Sequence, residues 1–129
     1  MTEPRWLTVA VVVAIHSDQI RDHGGALGIR DEGLLESALE RSRNEHHYSQ
    51  TTDLAILAAS YGFGLANNHP FIDGNKRVAF QAMAVFLMLN GLAFTASEED
   101  VVRTIMALAS GKLEQVDLAA WIRANTEDL

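Results

Sequence analysis

Cysteine is absent from the 129 residues. That excludes a disulfide scaffold, thiol nucleophiles, cysteine-ligated zinc and iron–sulfur clusters, and it leaves His, Asp and Glu as candidate bases or metal ligands. It also fits a reducing, cytoplasmic compartment. Proline occurs only at positions 4 and 70, so long helices can run without interruption. Lysine too is scarce, at positions 76 and 112, and ten basic residues face 17 acidic ones for a formal charge of −7. Such a balance argues against direct nucleic-acid binding by bulk electrostatics, so any contact with phosphate has to be local. The longest apolar stretch, Val78 to Leu89, contains Gln81 and falls short of the roughly 18 residues of a membrane span, so no membrane association is expected. The run Leu7 to Ile15 lacks the flanks of a signal segment, because Glu3 offsets Arg5 and no small-residue cleavage pattern follows. No repeat, linker or low-complexity tract divides the chain, which predicts one domain over 1–129.

What is present is the composition of a soluble globular domain, 48% hydrophobic and 21% charged, patterned mostly as helices. Thr8 caps a helix through about Asp22, stopped by Gly24-Gly25. Asp31 caps a second to about Arg43, followed by a polar connector from Asn44 to Gln50 that includes His46-His47. Thr51 or Thr52 caps a third, from Asp53 to about Asn67, closed by Pro70. The fourth begins near Gly74 and ends at Asn90-Gly91; it is apolar on every side except at Gln81, which predicts a central helix wrapped by the others. Ser97 with Asp100 resembles a capping box for a fifth helix stopping at Gly111, and a sixth spans about Asp117 to Asn125. The expected fold is an all-α, compact helical bundle around a buried central helix.

One segment gathers residue types that structure alone does not require: His69-Pro70-Phe71-Ile72-Asp73-Gly74-Asn75-Lys76-Arg77. A helix N-terminus offers unpaired N–H groups and partial positive charge, a ready anion site. Gly74 lets the backbone approach closely, and Lys76 and Arg77 add two charges that are unfavourable to the helix dipole unless an anion is present. Asn75 can hold a phosphate oxygen or a metal-bound water. Asp73 beside phosphate calls for a bridging divalent cation, and Mg²⁺ suits one carboxylate plus substrate phosphates. His69 can act as general base toward an attacking hydroxyl, since imidazoles titrate near neutral pH. The alternative is a plain connector with cations in the first helical turn.

Among the remaining histidines, His16 lies on the apolar face of the first helix as a hydrogen-bonded core or groove residue, and His23 is a helix C-terminal cation. Gly24 to Gly28 lacks the preceding strand of a dinucleotide loop and is a turn. Arg41 and Arg43 are simplest as solvated charge, and Trp6 and Trp121 as packing residues.

The nine-residue run closely resembles the signature of the Fic/Doc family, in particular its death-on-curing branch, the toxins of toxin–antitoxin pairs. Similarity extends to Ile15-His16, Gly24-Gly25, Gly28-Ile29-Arg30, the Leu34 to Leu39 helix, Phe86-Leu87 and Asn90-Gly91. The resemblance implies an all-α bundle, with His69 as base, Asp73 as Mg²⁺ ligand, and Gly74, Asn75, Lys76 and Arg77 as phosphate binders. Family members that transfer AMP usually carry glycine where this chain has Lys76, and a second arginine where it has Phe80. Lys76 is what death-on-curing toxins carry. Their resemblance implies a kinase that transfers the γ-phosphoryl of ATP to a threonine of elongation factor Tu and blocks translation. Transfer of AMP to a protein hydroxyl, or a binding module acting through an antitoxin, are the alternatives. The internal inhibitory pattern of many Fic proteins, Ser/Thr-x-x-x-Glu-Gly/Asn, is incomplete at both Thr95–Glu99 and Ser110–Glu114, so control is expected from a separate antitoxin. Its helix or unstructured tail would occupy a groove beside the site.

Overall fold

A computed structural model describes residues 3–129. Six helices, α1 (Val9–His23), α2 (Glu32–Ser49), α3 (Leu54–Asn68), α4 (Asn75–Leu89), α5 (Glu98–Ala109) and α6 (Gln115–Ala124), account for most of them. Two three-residue strands, β1 (Leu92–Phe94) and β2 (Thr126–Asp128), pair antiparallel with Leu92 opposite Asp128 and Phe94 opposite Thr126. The molecule is a helical bundle, and the strands serve to tie the chain's last residues to the turn after α4. No described helix is long and apolar enough to cross a membrane.

Local chemistry sets most of the helix ends. Thr8, Asp31 and Ser97 each accept a hydrogen bond from the backbone N–H three residues on, satisfying donors that a helix start leaves orphaned. The third helix is capped by Asp53, whose carboxylate takes the N–H groups of Ala55 and Ile56, in place of the expected Thr51 or Thr52. Thr51 instead accepts from the N–H of Asp53 and orders the cap itself. The second helix runs six residues beyond the expected Arg43, through the stretch taken for a connector. No glycine or proline stops it there, and His46 finds tertiary partners in the Trp6 ring, 5.4 Å away edge-on, and the Thr51 carbonyl at 2.7 Å. Left-handed Gln50 then ends it.

The buried central helix is α3 and not α4. Ten of the 15 residues of α3 are buried, against six of the 15 in α4. Small side chains explain the difference: α3 carries Ala58, Ala59, Gly62, Gly64 and Ala66, so α2, α4 and α6 can all lie close to it. A Cβ on Gly64 would come within 3.2 Å of the Ala38 Cα, and one on Gly62 would run into Met83. The larger side chains of α4 bury Val78, Met83 and Phe86 toward α3 and leave Met88 and Leu89 exposed. Trp6 stacks on Phe86, and Trp121 packs on Phe94 while its indole N–H donates to Asp100. Neither Arg41 nor Arg43 is simply solvated. Arg41 lies over the Phe63 ring and donates to Gln115, and Arg43 lies over Trp6.

Candidate active site

The segment from His69 to Arg77 turns the chain from α3 into α4, with its backbone held from two sides. On one side the stretch Gly28–Asp31 runs antiparallel to it, with Ile29 bridged to Phe71 and the N–H of Ile72 donating to the Gly28 carbonyl at 3.1 Å. The N–H groups of Arg30 and Asp31 both donate to the Pro70 carbonyl. On the other side, His16 of α1 is 3% exposed, stacks on Phe71 at 4.0 Å between ring centroids, and bonds through Nε2 to the Asp73 carbonyl at 2.8 Å. A carbonyl only accepts, so Nε2 carries the proton. The core or groove role expected of His16 thus has a definite task, which is to hold the loop at Asp73. Phe71 is buried as its anchor, whereas Ile72 is exposed.

His69 closes α3 in the left-handed region, φ 48° and ψ 55°, which is unusual for a residue with a Cβ. Gly74 is also left-handed, φ 79°, and a Cβ there would press on the Ile20 Cδ1 at 3.3 Å, so both conformation and space favour glycine. Gly25 has φ 117°, and a Cβ on it would sit 2.7 Å from Asp73 Oδ2. The Gly-Gly pair that stops α1 therefore also admits the Asp73 carboxylate against the turn, where Oδ2 accepts from the Ala26 N–H at 3.3 Å and Oδ1 from the Gly74 N–H at 2.9 Å. About half of the roughly four lone-pair positions of that carboxylate stay open.

Asn75 departs from its expected task. Its amide accepts from the Phe71 N–H at 3.0 Å and donates to the Phe71 carbonyl at 2.9 Å, so its side chain ties the loop together and is not turned to a ligand. The Gly74 N–H is likewise taken by Asp73. What α4 does offer is the N–H groups of residues 75–77. No side chain caps this helix, and its first backbone bond is from Val78 to Gly74. Lys76 and Arg77 are exposed beside these donors and form no ion pair among the described residues. Lys76 Nζ lies 3.9 Å from Met106 Sδ on α5, and Arg77 donates weakly to the Gly24 carbonyl at 3.4 Å.

Together, His69, Asp73, Gly74, Asn75, Lys76 and Arg77 line a single cleft of about 450 Å³, completed by Ile72 and Ala109. Its chemistry is complementary to a polyphosphate: free backbone donors, two exposed cations, one carboxylate and an exposed imidazole. Among the described residues no three His, Asp or Glu side chains gather into a cage, so a divalent ion here would take Asp73 plus oxygens from a bound phosphate and water. A second groove of about 530 Å³ shares Lys76 and Arg77 and continues between α1, α4 and α5 over Phe80, Val101, Val102, Ile105 and Met106.

The sequence model of the Fic/DOC family matches residues 6–87, a span that includes His16, the Gly24–Asp31 turn and the whole cleft loop. The chain belongs to the Fic/DOC family. It is 31% identical over 119 residues, 92% of its own length and 94% of the other's, to the protein kinase doc of Escherichia phage P1. It is also 39% identical over 74 residues, 57% of each chain, to the toxin Doc of Mycolicibacterium smegmatis. Within the family, this Fic/DOC protein is thus Doc-like. Sequence reasoning singled out Gly25 and Arg30 as points of family similarity and gave neither of them, nor Ala26, a task in the site. All act on the loop from more than 35 positions away, Arg30 through its guanidinium, Gly25 by leaving room for the Asp73 carboxylate and Ala26 through its N–H, and no periodicity or local spacing signals that.

Proposed function

We propose that this Doc-like protein is the toxin of a toxin–antitoxin pair, acting in the cytoplasm as a Mg-ATP-dependent protein kinase on a threonine of elongation factor Tu and so blocking translation. The observation that carries the reading is Lys76, a full positive charge without an ion-pair partner among the described residues, in the first turn of an uncapped helix and facing the same cleft as His69 and Asp73. Where AMP-transferring relatives keep glycine, this side chain takes up room beside the free N–H groups and supplies charge for a terminal phosphate. The kinase named among its relatives supports the same choice.

In this reading the imidazole of His69 accepts the proton of the attacking threonine hydroxyl as the new P–O bond forms, and ADP leaves. The N–H groups of Asn75, Lys76 and Arg77, with the two cationic side chains, hold the phosphates in line and stabilise the charge on the transferring group. Asp73 would hold Mg²⁺, which when bound with ATP neutralises charge on the phosphate oxygens. Gly74 and Asn75 serve by shaping the loop, and through the Asn75 N–H. The chain acts as a single domain, and its apolar groove beside the cleft receives a helix or tail of the cognate antitoxin, whose acidic groups could meet Lys76 and Arg77.

Incubation of the purified protein with elongation factor Tu and Mg-ATP labelled separately at the α and γ positions tests this. Label from γ on the factor is the expected result. Label from α would establish AMP transfer instead, and no label from either position would favour a binding module.

A further inference from the structure

Two planar peptide groups flank the His69 Cα, and the φ and ψ of that residue are the soft torsions between them. Arg30 grips one oxygen of each plane: its Nε donates to the His69 carbonyl at 2.7 Å and its Nη2 to the Asn68 carbonyl at 2.8 Å. The next carbonyl, of Pro70, is held by the Arg30 and Asp31 N–H groups at 2.7 and 3.0 Å. Three successive carbonyls thus converge on the two-residue stretch Arg30-Asp31, whose Arg30 lies 39 positions away from His69 in the chain.

This is more than helix capping requires. Orphaned carbonyls at a helix end are satisfied by water or by any nearby cation, and the left-handed position is ordinarily given to glycine or asparagine. Here a residue with a large ring is held in that disfavoured region. A guanidinium is planar, with donors in a fixed fork, so it sets the relation between two peptide planes in a way a lysine ammonium cannot. Arg30 is exposed and contributes nothing to the buried core. We infer that Arg30 is a positioning residue for His69, its guanidinium fixing the backbone torsions that direct the imidazole into the cleft. The inference rests on the reading of His69 as the general base.

Its test compares the full-length protein with Arg30→Ala and Arg30→Lys, using γ-labelled Mg-ATP and elongation factor Tu together with heteronuclear NMR of His69. Arg30→Ala is expected to lower kcat roughly tenfold to hundredfold, the usual effect of a misplaced catalytic group, with KM for ATP within about twofold. The His69 amide and imidazole resonances should shift while those of α6 stay in place. Arg30→Lys keeps the charge and should recover little. Should Arg30→Ala fail to fold, Arg30→Lys decides by the same two readouts. Wild-type kcat in the lysine variant, or unmoved His69 resonances in whichever variant folds, overturns the inference. A merely structural clamp would lower the melting temperature and leave kcat per folded molecule unchanged. If the wild-type protein transfers no label, it is the kinase reading that falls, and the His69 resonances still decide whether Arg30 holds that residue in place.

Discussion

The body of α3 and its C-terminal end are built by opposite rules. Its body, from Ala55 to Ala66, is packed on several sides by α2, α4 and α6, and its small side chains are chosen for closeness. Its C-terminal end, from Asn67 onward, emerges into a loop whose polar and charged side chains are mostly exposed, whose residues His69 and Gly74 are left-handed, and whose shape is set by hydrogen bonds from distant backbone and side-chain groups. The first region carries stability through apolar burial, and in the proposed mechanism the second supplies the chemistry, with donors and charges left unpaired among the described residues. A mutation should therefore act on one property and spare the other.

The sharpest test of that separation is His69→Ala. Loss of a general base typically costs a factor of about 10² to 10⁴, so transfer should nearly vanish while the melting temperature stays within a few degrees. Activity at the wild-type level would remove His69 from the proposed mechanism. The converse is Leu57→Ala in the body of α3, where the residue is fully buried. Removing it should cost about 2–5 kcal/mol by denaturant titration, with kcat per folded molecule unchanged. A large drop in kcat at preserved stability would show that the two regions are coupled.

Smaller effects probe the ends of the comparison. Asp53→Ala removes the cap of α3 and its 2.6 Å ion pair with Arg123 on α6. The cap accounts for most of an expected loss of about 1–2 kcal/mol, because the pair is exposed; an equal loss in Arg123→Ala would reverse that ranking. The smallest effect is alkaline. Burial pushes the Tyr61 phenol up from its ordinary value of 10.0, opposed by the hydrogen bond it accepts from the Leu7 N–H and by the charge of Arg43. The folded state therefore keeps the phenolic proton to higher pH than the unfolded chain. Stability from this group is fully present below about pH 10 and is lost as pH rises through the folded value. Tyr61→Phe should flatten that decline in urea titrations between about pH 9 and 11. An unaltered slope would mean that other groups cause it.

Much of the fold is legible in the sequence. The N-caps Thr8, Asp31 and Ser97 and the start and stop of α4 rest on contacts between residues a few positions apart, where side-chain type and spacing carry the physics. The extension of α2 to Ser49 was not legible, because it depends on Trp6 and Thr51 meeting His46. Strands of three residues are too short to show an alternating pattern, so β1 and β2 left no trace. The even hydrophobicity of α4 suggested a fully enclosed helix, but enclosure depends on how closely neighbours can approach, and there the alanines and glycines of α3 prevail.

By itself, then, the sequence determined which residue types meet at one helix start and that the acidic chain concentrates a lysine and an arginine there. Only the tertiary structure decided what each of them is free to do. It commits the Asn75 amide to Phe71 and the Gly74 N–H to Asp73, sets His16 against the loop, and brings Arg30 to the carbonyls on either side of His69. The physical reason is that a polar group's availability depends on every partner within about 3 Å, and in a folded chain those partners come from anywhere along it.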